Sequence, residues 1–205
     1  MINIVLASSS PRRKQILERA QIPFELAEVD VSERLDEELS PYDMVKVLSE
    51  RKAAAAIGKV NKPSVIIGAD TIVAIHGKIL CKPSGKDEAF AMLKRLQGSR
   101  HSVYTGVALI RMGEQGEEER AYVIDTTTVS IRPLSDREIS AYIETGEPFG
   151  KAGAYAAQGI GSLLVERVDG DYNTVVGLPL VKIYDALKAW GIDLSELWSA
   201  AKVET

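Results

Sequence analysis

Histidine is nearly absent from this chain: His76 and His101 are the only two in 205 residues. Both fall in stretches that read as strand or hairpin, which disfavours a serine or cysteine nucleophile activated by an imidazole base. A single cysteine, Cys81, excludes a disulfide within the chain and fits a reducing, cytoplasmic compartment. No Cys/His spacing suggests zinc. No G-x-x-x-x-G-K-[ST] phosphate loop occurs. No apolar run approaches the roughly 20 residues that a membrane span requires, and nothing ahead of the first apolar stretch reads as a secretory signal. Internal repeats and low-complexity tracts are missing as well. The net charge of −4 argues against broad binding of a nucleic-acid polymer, while leaving room for a local cationic pocket around a small anion.

The residues that are present point to oxyanion handling. Ile2–Ala7 reads as an apolar strand that runs into Ser8-Ser9-Ser10-Pro11-Arg12-Arg13. Ser10 suits an N-cap and Pro11 the first helical position, where its missing N–H is not needed. A helix N-terminus leaves N–H groups and a partial positive charge facing the preceding loop. Hydroxyls and guanidiniums added there make a phosphate cradle. Ser64–Ala69 reads as a buried strand, continuously apolar and rich in β-branched residues, with Asp70 expected at its carboxyl end. Open α/β sheets place ligands in that crevice. Lys82-Pro83 puts an ammonium on a rigid turn, and Lys52 lies on a helix leading back toward the Asp70 strand. In Lys151–Gly159, small residues permit close backbone approach, and Gln158 offers the donor and acceptor that a nucleobase edge needs. Each feature alone admits a plainer reading: a capped helix with solvated arginines, a turn-capping aspartate, surface lysines, a packed small-residue loop.

The remaining pattern predicts a helix over Arg12–Ala20, a strand over Phe24–Val31 and an acidic loop over Asp30–Leu39. A second helix opens at Ser40-Pro41 and stops at Gly58. A hairpin over Ile72–Leu80 breaks at His76-Gly77, and a helix covers Asp87–Leu96. Long strands follow over Ser102–Arg111 and Arg120–Ile131, then a helix with a Ser135/Glu138 capping box. Glu147–Gly161 shows no periodicity. Leu163–Val168 reads as a strand, Gly177-Leu178-Pro179 opens a helix through Leu187, and a short helix follows Ser195. The fold class is therefore α/β or α+β, a sheet with helices on its faces. One chain-long domain is expected, with a lobe at about 70–134 and a cleft against it as the default site.

Together these residues resemble the Maf family of nucleoside triphosphate pyrophosphatases, first named as septum-formation proteins. Its signatures are matched in order by Ala7–Arg13, Gly68–Val73, Lys82-Pro83, Val103–Val107, Lys151–Gly159 and Val175–Pro179. The resemblance implies an elongated mixed sheet with flanking helices, two lobes around a deep cleft, and a homodimer. It also implies hydrolysis of a nucleoside triphosphate to the monophosphate and pyrophosphate with a divalent cation, Mg²⁺ or Mn²⁺. Asp70 matches the proton acceptor. Arg12, Thr71 and Gln158 match positions tied to base selection in the branch similar to dTTP/UTP pyrophosphatases. Ser8, Arg13, Glu33, Lys52 and Lys82 match other polar positions. Of these, Lys52 and Lys82 are assigned to catalysis, Ser8 and Arg13 to the substrate, and Glu33 with Asp70 to the metal. Gly150 departs from the pattern, since family members often carry Asp there, and the glycine is expected to loosen the Gln158 loop. Two other readings stay open: a non-catalytic, nucleotide-binding regulator of septum formation acting through a protein partner, and an enzyme acting on phosphosugars.

Overall fold

A computed structural model describes residues 2–34, 39–61 and 63–200. Its strands are β1 (Asn3–Ala7), β2 (Glu25–Leu26), β3 (Ser64–Ile75), β4 (Lys78–Leu80), β5 (Arg100–Met112), β6 (Glu118–Ile131) and β7 (Val165–Asp169). They form one mixed sheet in the order β2-β1-β3-β5-β6-β7, with β4 paired to β3. The flanking helices are α1 (Pro11–Arg19), α2 (Pro41–Ala54), α3 (Lys86–Leu96), α4 (Asp136–Glu144), α5 (Tyr172–Val176), α6 (Leu180–Ala189) and α7 (Leu194–Ala200). Of the expected acidic loop, residues 35–38 lie outside the described residues.

The chain divides into two compact units. The first comprises Met1–Asp70, Thr105–Asp125 and Gly177–Thr205; the second comprises Thr71–Tyr104 and Thr126–Val176. The lobe read from the sequence at about 70–134 thus meets a different division. Residues 105–125 belong with the first unit, and the second unit runs on to Val176.

In the first unit, β1 pairs in parallel with both β2 and β3, from Asn3↔Ser64 to Ala7↔Gly68. Two glycines bring α2 down onto this sheet. A Cβ on Gly68 would stand 2.4 Å from the Ala53 backbone nitrogen, and one on Gly106 would stand 2.5 Å from the Val45 carbonyl oxygen. Only a residue without a side chain permits that approach. Val5, Ala7, Ala53, Ile66, Ala108 and Ile110 are among the buried apolar residues that result. The predicted strand over Phe24–Val31 shrinks to Glu25–Leu26, both exposed, because this is the sheet's edge and only two residues reach β1.

In the second unit, Ile75 pairs with Lys78 across a two-residue turn, His76-Gly77, with both residues at positive φ (49° and 73°). That is the geometry tight hairpins prefer. The Ser135/Glu138 capping box forms in both directions at the start of α4. Leu93, Leu96, Ile131 and Ile139 are fully buried in this unit's own core. α5 was not legible in the sequence; its single short turn carries no amphipathic repeat.

His101 belongs to that core. It is 3% exposed, its Nε2 lies 2.7 Å from the Tyr155 hydroxyl, and its ring meets the Tyr155 ring edge-on. Nδ1 has no hydrogen-bond partner. Burial pulls its pKa down from 6.5 to about 4, because the protonated ring would be charged in an apolar setting. The unfolded chain therefore binds the proton more tightly than the folded one. The resulting stability is complete above pH 6.5 and is lost as pH falls toward 4, by about 3 kcal/mol in all. Replacing His101 by Gln should flatten the fall in thermal midpoint between pH 7 and pH 4.5. An unchanged pH profile in that variant would locate the acid sensitivity elsewhere.

Candidate functional site

The first unit gathers its charged groups around Asp70. The sequence places this residue at the carboxyl end of a strand; the structure places it inside one. β3 continues to Ile75 and Asp70 is only 6% exposed. The strand survives the charge because of what lies beside it. Pairing with β1 ends at Gly68 and pairing with β4 begins at Val73. Asp70 falls in the interval, just beyond the carboxyl end of the parallel strand β1. The crevice expected from the sequence is therefore the one that β1 leaves, not one at the end of β3.

Lys52 meets this carboxylate: its Nζ lies 2.5 Å from Asp70 Oδ1 and 3.0 Å from Glu33 Oε1. The close seating of α2 on Gly68 sets that reach, since Lys52 immediately precedes Ala53, whose backbone touches the glycine. Glu33 is held from α2 as well. Arg51 Nη1 donates to the carbonyls of Ser32 (3.2 Å) and Arg34 (2.8 Å), on either side of it. Arg51 was not singled out in the sequence.

The serine-arginine turn is ordered from within. α1 starts at Pro11 as expected, yet the Ser10 side chain makes no capping bond. Ser8 does the ordering: its Oγ accepts from the Ser10 N–H (3.1 Å) and from Arg13 Nη1 (3.4 Å). Arg13 is 8% exposed, and its Nε donates to the Gly177 carbonyl at 2.9 Å. Burial lowers the Arg13 pKa, opposed by attraction to Asp70 and Glu33 and reinforced by repulsion from Arg12. The guanidinium stays charged at any physiological pH. Arg12, Arg13, Glu33 and Asp70 thus share one electrostatic neighbourhood. Gly177 sits in the Val-Val-Gly-Leu-Pro run, to which sequence reading gave no site role; its carbonyl anchors Arg13.

The remaining candidates, Thr71, Lys82 and Gln158, belong to the second unit. There the Gly153 N–H donates to the Cys81 carbonyl at 3.2 Å, tying the Lys151–Gln158 segment to the turn that carries Lys82. Gly153 also packs on Val73, two residues past Thr71; a Cβ at Gly153 would meet the Val73 side chain at 3.1 Å. Gly153 and Ala154 both lie at positive φ. For alanine this conformation is strained, and such strain gathers at functional sites. Gln158 is half-buried, and Lys82 is exposed.

Among the described residues, no group of three or more His, Cys, Asp or Glu side chains gathers as metal ligands. Glu33 and Asp70 nevertheless converge on one ammonium. Two carboxylates completed by substrate phosphates are the usual donor set for Mg²⁺, so these residues fit such an ion. No described helix is long and apolar enough to cross a membrane.

A Gly68→Ala substitution tests the α2 seating. Its methyl would overlap backbone, so α2 must shift, at a cost of roughly 3 kcal/mol and with the Lys52–Asp70 contact disrupted. The thermal midpoint and the turnover should fall together; an unperturbed Gly68→Ala protein would refute the close approach.

Comparison with known proteins bears on this arrangement. The family model described as Maf-like protein matches residues 3–190. A dTTP/UTP pyrophosphatase from Caldanaerobacter subterraneus subsp. tengcongensis is 47% identical over 187 residues, covering 91% of this chain and 88% of its own. A dTTP/UTP pyrophosphatase from Bacillus velezensis is 46% identical over 189 residues, covering 92% and 97%. A solved nucleoside-triphosphatase / dITP/XTP pyrophosphatase from Mycobacterium abscessus aligns with a TM-score of 0.39 at 16% identity, over 93% of this chain and 95% of that one; a likeness so weak carries no argument.

Proposed function

This chain belongs to the Maf family, and from that premise we propose how its residues carry out the reaction. The protein is a nucleoside triphosphate pyrophosphatase, acting on dTTP and UTP as its relatives' names state. The observation that carries the chemical reading is the contact between Lys52 and buried Asp70, in a unit where Arg13 feels the same carboxylate.

Water attacks the α-phosphorus. An O–P bond forms, the bond from phosphorus to the α,β-bridging oxygen breaks, and pyrophosphate leaves with the electron pair. Asp70 accepts the water's proton. Lys52 holds Asp70 through Oδ1 and so fixes the direction of its carboxylate. The leaving group carries several negative charges, which Arg13 and the turn around Ser8 meet. Ser8 Oγ already accepts two hydrogen bonds, so its own hydrogen is left to donate to a phosphate oxygen. A divalent cation, Mg²⁺ or Mn²⁺, would be held by Glu33 and Asp70 and would supply Lewis-acid polarisation of the phosphoryl oxygens. The roles given to Arg12, Thr71, Lys82 and Gln158 rest on family membership. Lys82 neutralises phosphate charge, and Arg12, Thr71 and Gln158 select the base. An uncharged amide at Gln158 pairs with the imide edge of thymine or uracil, and sites built on hydrogen bonds reject bases that leave polar groups unpaired. We further propose that the protein works as a homodimer in the cytoplasm.

Pyrophosphate release by the purified protein tests this directly. UTP and dTTP should be turned over faster than ATP and GTP, and chelation of divalent cations should stop the reaction. Asp70→Asn keeps the size of the side chain and removes its basicity. Turnover should drop by at least about a thousandfold while nucleotide binding stays measurable. Wild-type turnover in Asp70→Asn would eliminate Asp70 as the proton acceptor.

A further inference from the structure

Glu147 lies just past α4 and takes no part in the chemistry above, yet its carboxylate organises the segment that carries Gln158. Oε2 accepts from the Tyr142 hydroxyl (2.7 Å) and the Gly161 N–H (2.6 Å), and Oε1 accepts from the Ile160 N–H (3.0 Å). The Tyr142 hydroxyl accepts in turn from the Ala156 N–H at 3.1 Å. Gln158 is therefore bracketed. The chain two residues before it is bonded to Tyr142, the chain two and three residues after it to Glu147, and the two side chains are bonded to each other.

The fit of the backbone around this carboxylate is close. A Cβ on Gly159 would stand 2.3 Å from Glu147 Oε1, and one on Gly161 would stand 2.6 Å from the Tyr142 hydroxyl and 2.9 Å from Glu147 Oε2. Gly159 also lies at φ +64°. The Gly-Ile-Gly turn is shaped to wrap an anion supplied by the protein itself. Glu147 is fixed at its own main chain too. Its N–H donates to Thr145 Oγ1 at 3.2 Å, and its carbonyl accepts from Lys151 Nζ. Gly150, by contrast, has open space where a Cβ would be. Gly150 itself lies at φ +73°, and the hydrogen bonds that order this loop come from Glu147 and Tyr142.

We propose that Glu147 and Tyr142 are positioning residues for base selection: they hold Gln158 in the orientation that reads the pyrimidine edge. This rests on the reading of Gln158 as the base-selecting residue. A carboxylate that accepts from three donors cannot be replaced by an amide without turning one donor against an NH₂ group. Glu147→Gln should therefore loosen the loop while preserving volume.

The test compares UTP and ATP hydrolysis in Glu147→Gln, Tyr142→Phe, Gln158→Ala and the Glu147→Gln/Gln158→Ala double variant. Glu147→Gln should raise the KM for UTP roughly tenfold with kcat within a factor of about three, and should reduce the UTP-over-ATP preference in the same proportion. Amide exchange at Ile160 and Gly161 should quicken. The double variant should be no less selective than Gln158→Ala alone, because both changes remove one function. Tyr142→Phe keeps the ring and should show the same trend, which serves if the Glu147 variant fails to fold. If Gln158→Ala lowers the preference but Glu147→Gln and Tyr142→Phe do not, or if the double variant's losses add, the positioning role is overturned and the base-reading role of Gln158 stands. If Gln158→Ala leaves the preference intact, the base-reading role itself falls, and the proposal falls with it.

Discussion

The seating of α2 on two bare glycines is the constraint on which the first unit depends. Gly68 and Gly106 let helix backbone rest directly on sheet backbone, at a separation that any methyl group would prevent. That spacing decides where Lys52 ends. A helix lifted by even one methyl group would carry the ammonium off Asp70, and Arg51 would lose its hold on the carbonyls that frame Glu33. The electrostatics of the unit thus follow from a packing detail.

The same geometry explains how a carboxylate persists inside an apolar strand. Burying a lone charge is costly, and a partner at hydrogen-bond distance offsets part of that cost. Asp70 has Lys52 in contact and the Arg13 field behind it. Arg13 is itself desolvated, and its cost is met by the Gly177 carbonyl, Ser8 and the acidic groups nearby. A pair of buried opposite charges is often no more stable than a hydrocarbon core would be, which agrees with the binding role proposed for them.

Much of this was legible from residue order. The serine-arginine turn, the apolar strand before Asp70, the His76-Gly77 hairpin and the Ser135 capping box are local signals, and local signals survive folding. What escaped was non-local. An aspartate after the apolar run Val65–Ala69 looks like a strand terminus, and only the loss of β1 as a neighbour together with the arrival of Lys52 shows why β3 runs through it. Glycine within an apolar strand gives no hint that a helix lies against it. Glu147 was missed because its partners are main-chain amides thirteen and fourteen residues later. The spaced glycines at 159 and 161 were the available signal, but the first had been read as room for a ligand and the second only as the end of an aperiodic stretch.

The bond from Arg13 to the Gly177 carbonyl joins points 164 residues apart, and the first unit is assembled from three separate stretches of chain with the second unit's segments between them. Contacts of such sequence separation form late and slowly. During synthesis, Ser8, Arg13, Lys52 and Asp70 leave the ribosome long before the carbonyl that anchors the guanidinium exists. The nascent polypeptide therefore carries Arg13 without its anchor until Gly177 has emerged.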